Sequence, residues 1–73
     1  MLPMGLLADG ESGEIVATGR VDVFAATRAE DLGLRVGKRV QMLASGADPV
    51  LVKVDESRIA VGRGVAMRIQ VRT

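Results

Sequence analysis

Apolar residues along this chain fall mostly at every second position, in short runs. Arg39 to Ala44 alternates with Val40 and Met42 on one face, and Val50-Leu51-Val52-Lys53-Val54 alternates with Val50, Val52 and Val54 on one face. Side chains of a strand point to opposite sides in turn, so each run predicts a strand with one buried face. The Asp55-Glu56-Ser57 turn then folds Arg58 to Val61 back as a hairpin partner. Upstream, the β-branched stretch Glu14 to Thr18, closed by Gly19, predicts a first strand with Ile15 and Ala17 inward. Ala66 to Val71 predicts the last, with Met67, Ile69 and Val71 inward and Arg68, Gln70 and Arg72 outward.

One segment follows a different period. Asp22 can cap a helix, Phe24, Ala25, Arg28 and Leu32 follow at helical spacing, and Gly33 supplies a left-handed stop. The spacing predicts a helix over about residues 22–32, followed by a tight turn from Leu34 to Lys38. Five short strands, turn signals about ten residues apart and one helix inserted after the first strand predict a mainly β fold, a small closed or nearly closed barrel. Leu2 to Leu7 is apolar but short, and the Asp9-Gly10-Glu11-Ser12-Gly13 run after it is turn chemistry. Gly13, Gly33, Gly37, Asp48 and Pro49 are read as structural turn residues: the glycines relieve positive φ, and Pro49 fixes the chain as it enters the third strand.

The chain has 73 residues, which leaves room for one domain with one core. Cores of this size supply only about 3–5 kcal/mol. With no Cys and no His, neither a disulfide nor a Cys/His zinc site can add to that. Cysteine-free composition fits a reducing compartment, and the opening Met-Leu-Pro-Met-Gly-Leu-Leu lacks the basic flank and length of a signal peptide, so a cytoplasmic location is expected. Charges interrupt every apolar run well short of the ~18–20 residues that cross a bilayer, so no direct membrane insertion is expected.

Ten Lys and Arg against nine Asp and Glu give a net charge of +1, too little to steer the chain toward nucleic acid or anionic lipid. Nucleophilic catalysis lacks a His base, and Ser12, Ser45 and Ser57 all sit in turn clusters. The carboxylate pairs Glu30-Asp31 and Asp55-Glu56 fall at a helix end and a hairpin tip, where water would solvate them. Neither catalytic residues nor a cofactor is therefore expected. Scattered acids and four Met make a poor iron-ligand set, and Met42 and Met67 are read as core, so no metal-binding residue is assigned. The glycine runs match neither a P-loop nor a dinucleotide fingerprint. A basic cluster, Arg35, Lys38 and Arg39, could touch phosphate but reads more simply as a solvated turn.

Several of these features occur together in an ordered series. Asp9-Gly10-Glu11-Ser12-Gly13-Glu14-Ile15-Val16, then Arg28, Leu32-Gly33-Leu34 and Gly37, then Asp48-Pro49-Val50, Arg58-Ile59-Ala60-Val61, and Ala66 with Ile69 and Val71 resemble the FeoA family. The resemblance runs from about Leu2 to Val71. The chain departs from the family pattern at Val36, where a proline is common, at Ala29-Glu30, at Ala47, and at Gly62 and Gly64-Val65.

That resemblance implies an SH3-like barrel and a cytoplasmic accessory of ferrous iron uptake, acting without chemistry of its own on the GTPase-bearing membrane permease FeoB. The expected partner is the cytoplasmic portion of a FeoB-like permease. Proline-rich peptides are poor candidates, because their grooves are lined by aromatic rings and Phe24 is the chain's one aromatic residue. With bulk charge, catalysis and metal disfavoured, the solvent side of the helix and its flanking turns are left for docking, which makes Arg28, Leu32 and Arg35 the candidate partner-binding residues. The same fold allows a module related to the C-terminal domain of DtxR-type metal-dependent repressors, although a free-standing module is expected. An RNA-binding small barrel is a third class, and no nucleic-acid partner is expected at this net charge. Homo-oligomerisation is left open.

Overall fold

The computed structural model describes residues 1–18 and 33–73. Six strands form one antiparallel sheet: β1 (Leu2–Pro3), β2 (Ser12–Ala17), β3 (Arg39–Ala44), β4 (Val50–Val54), β5 (Ser57–Val61) and β6 (Gln70–Arg72), in the spatial order β1-β6-β2-β3-β4-β5. A 3-10 turn, Met4–Leu6, follows β1, and a short helix, α1 (Arg63–Ala66), precedes β6. The helix expected over residues 22–32, with Asp22, Phe24, Arg28 and Leu32, lies outside the described residues.

Alternation in the sequence translates directly into burial. Val40 and Met42 of β3, Val50, Val52 and Val54 of β4, Ile15 of β2 and Val71 of β6 all face one core, joined by Met4, Leu7, Leu34, Val61, Ala66 and Ile69. A flat sheet could not bring inner faces from both ends together, so this one curls around its apolar side, helped by register shifts between Met42 and Ala44 and between Ile15 and Ala17. The β4–β5 hairpin pairs Val54 with Ser57 across the two-residue loop Asp55-Glu56, where Asp55 takes the left-handed φ of 55° that short polar residues tolerate.

At the chain's two ends the structure departs from the pattern reading. The sheet has six strands rather than about five, because Leu2 and Pro3 pair with Val71 and Gln70. Two residues, one of them proline, carry no alternation to read, and only the arrival of β6 makes them a strand. The run from Ala66 to Val71 is not one strand: α1 ends at Ala66, and only Gln70–Arg72 pairs. Met67 is consequently not a core residue but 37% exposed, lying over Gly5, where an added Cβ would stand 2.7 Å from the Met67 sulfur. Gly13 is not in a turn but inside β2, where the β6 backbone passes closely. Gly33 and Gly37 do take positive φ, 92° and 94°, on either side of a turn whose Leu34 is fully buried.

Candidate functional site

Three groups of polar residues stand on this frame. The first is the turn over residues 33–38, which projects from the start of β3. Its Arg35 N–H donates to the Gly33 carbonyl at 3.0 Å and its Lys38 N–H to the Arg35 carbonyl at 3.0 Å, while Ile15 grips the turn from β2 through Gly37 N–H (2.8 Å) and the Lys38 carbonyl (2.8 Å). With Leu34 pinned in the core, Arg35 and the 62%-exposed Val36 are held outward at the tip. Of the residues expected to contact a partner, Arg35 is thus exposed on a hydrogen-bonded turn, whereas Arg28 and Leu32 lie outside the described residues.

The second group covers the outer face of the sheet. Cross-strand register aligns Ser12, Gln41, Lys53 and Arg58 in a row over β2, β3, β4 and β5. Beside it, Glu14 lies between Arg39, its partner across β2–β3, and Arg72, whose Nη2 reaches Glu14 Oε1 at 2.9 Å. Lys38 Nζ approaches Asp55 Oδ2 at 3.2 Å. Ser12, Arg39, Val40, Gln41, Lys53 and Asp55 line a shallow open groove of about 350 Å³.

The third group ties loops together. Asp9 Oδ1 accepts from the Ser45 hydroxyl at 2.7 Å and from the Ser45 N–H at 2.8 Å. Those two bonds, the hydroxyl's foremost, hold the Asp9 carboxyl below the usual carboxylate range, because they favour its charged form. Arg63 Nη2 donates to the carbonyls of Ser45 (2.7 Å) and Ala47 (3.2 Å), and Asp48 Oδ1 accepts from the Arg63 N–H at 2.9 Å. Asp48 therefore caps α1 from a distant loop, one residue before the cis peptide bond to Pro49 that leads into β4.

Among the described residues no three Asp or Glu side chains come together as a metal site would need, and no side-chain nitrogen or oxygen is buried without a partner. Among the described residues, no helix is long and apolar enough to cross a membrane.

The family model for the FeoA domain matches residues 2–73. The chain belongs to the FeoA domain family. A protein of Methanocaldococcus jannaschii, provisionally named Fe(2+) transport protein A, is 33% identical over 67 residues, covering 89% of this chain and 82% of that protein. The zinc-complexed crystal structure of Stenotrophomonas maltophilia FeoA, described as a prokaryotic SH3 domain protein, superposes with a TM-score of 0.85 at 26% identity, over 99% of this chain and 91% of that one. A manganese-dependent transcriptional repressor shares the fold alone, with a TM-score of 0.85 at 21% identity over 94% of this chain and 39% of that one. The curled sheet of this FeoA-family chain is therefore SH3-like. Lys53, Arg58, Asp9 and Arg63 were not singled out from the sequence. For the first two the signal is incomplete, since a three-residue turn Asp55-Glu56-Ser57 would set Lys53 opposite Ile59, and only the two-residue loop of the structure brings it opposite Arg58. For Asp9 and Arg63 there was none, because their partners are loops far away in sequence.

Proposed function

We propose that this protein is an accessory of ferrous iron transport that acts by docking on the cytoplasmic portion of a FeoB-like membrane permease, with no chemistry of its own. The observation that carries this reading is the FeoA match over residues 2–73, together with the iron-transport name of the Methanocaldococcus relative. Arg28, Leu32 and Arg35 are the proposed contact residues. A guanidinium can make bidentate bonds to a partner carboxylate, and Arg35 stands beside exposed Val36 on a turn tied to β2 by backbone hydrogen bonds. Calorimetry against the detergent-solubilised permease, with wild type, Arg28→Ala and the surface control Arg72→Ala, tests this. Arg28→Ala should lose about 2 kcal/mol of binding, roughly thirtyfold, at unchanged thermal stability. Equal binding by all three proteins would remove Arg28 from the interface, and no binding by wild type would remove the docking reading.

A second reading rests on the fold shared with the manganese-dependent repressor, in which such a module would serve metal-dependent regulation. Deleting the gene separates the two: loss of ferrous uptake at unchanged transcript levels favours the transport accessory, and derepressed metal-uptake transcripts favour the regulatory module.

A further inference from the structure

On the outer face of the hairpin, Lys53 of β4 and Arg58 of β5 are direct cross-strand partners. Like charges set opposite each other weaken a sheet, so the fold gains nothing from this pair. Neither cation, nor Arg39 across the groove, is in an ion pair among the described residues, while the other outward charges of the sheet are matched: Arg72 holds Glu14, and Lys38 holds Asp55. Gln41 lies in register with Lys53 and, with Ser12, continues the row as uncharged hydrogen-bonding groups, its Nε2 donating one N–H to the Gly10 carbonyl at 3.2 Å and keeping a second. A local rule broken without a compensating structural gain marks a surface kept for something else.

We propose that this face, centred on Lys53, Arg58, Gln41 and Arg39, binds an extended acidic segment of a protein partner. The row runs along the open groove, which Ser12, Gln41 and Lys53 line, and a strand-like segment presents every second side chain to one side, about 6.6 Å apart, against about 4.8 Å between neighbouring strands, a difference that the long Lys53 and Arg58 side chains can span. A protein segment fits better than nucleic acid. Asp55 in the groove wall, Glu56 beside it and Glu14 on the adjoining row would repel a continuous run of phosphates, and no aromatic side chain is present among the described residues to stack on bases. In assigning that segment to the permease the inference rests on the docking reading above, and the face is continuous along the chain with the Arg35 turn.

The test uses a variant that should not harm the fold. Arg58→Glu replaces a repulsive pair by an attractive one, so its melting temperature should stay at or above that of wild type. Titrating wild type with a short capped peptide of alternating Glu and Ser, followed by amide NMR, should move signals of Gln41, Lys53 and Arg58, weaken as salt is raised, and fail with the matching Gln/Ser peptide. Arg58→Glu should bind the Glu peptide at least roughly tenfold more weakly. Equal response to the Glu and Gln peptides, or undiminished binding by Arg58→Glu, would overturn the proposal. So would a short poly-dT oligonucleotide that moves the same signals at lower concentration. A parallel titration with the permease keeps the two readings apart: if wild type and Arg58→Glu bind the permease equally, docking stands and this face falls, whereas peptide binding without permease binding leaves the face and removes the permease.

Discussion

Gly13 shows how a single residue can matter for a reason its neighbours in sequence do not disclose. A Cβ there would stand 3.1 Å from the Arg72 carbonyl oxygen and 3.3 Å from the Val71 Cβ. The obstacle is the backbone of β6, which can retreat only by loosening the β2–β6 pairing. Gly13→Ala should therefore cost about 1–3 kcal/mol, as overpacking does. Gly46→Ala, in a loop where an added Cβ meets nothing within 4 Å, should stay within about 0.5 kcal/mol of wild type. Urea denaturation of both variants checks this, and equal stabilities would show that β6 does not press on Gly13. With Asp9, Gly10, Glu11 and Ser12 before it, local composition predicts a turn at Gly13 and cannot reveal a strand that arrives from the far end of the chain. Gly33 and Gly37 were legible because a helix stop and a turn are local events.

At the scale of elements, α1 exists because of what reaches it from outside. Its sequence, Arg63-Gly64-Val65-Ala66, has a glycine inside and another before it, both poor for helix, which is why the pattern reads there as a break. Asp48 satisfies the first N–H, and the Arg63 guanidinium in turn holds the loop over residues 45–49 through two carbonyls. Arg63→Ala should lower stability by about 1.5–3 kcal/mol, the range for hydrogen bonds to a charged group, and Arg63→Lys should recover only part, since both bonds come from the one nitrogen Nη2 and the more strongly hydrated ammonium gives up more water to replace it. Chemical denaturation of the three proteins reads this directly, and an Arg63→Ala variant as stable as wild type would show that the loop holds without its tie. The strands β3 and β4 needed no such outside help: their alternation alone identified every inward residue from Val40 to Val54.

For the molecule as a whole, the pattern delivered a mainly β fold with one core, and the ordered motifs delivered the family. What it left unread is where charge concentrates. Net charge is a sum over the chain, and +1 conceals an outer face on which Lys53 and Arg58 stand together with no ion pair among the described residues. Register, which fixes that juxtaposition, is a property of the assembled sheet. If the protein works by being bound in ferrous iron transport, iron entry depends on its presence. The most direct measurement is uptake of radiolabelled ferrous iron by cells of the source organism under reducing conditions, comparing the parent, a strain lacking this gene, and the same strain carrying the gene in trans. A transport accessory predicts that uptake falls in the deletion strain at an unchanged amount of permease and returns with the gene, and that supplying the Arg28→Ala variant restores it only in part. Ferrous uptake in the deletion strain equal to that of the parent would contradict the account.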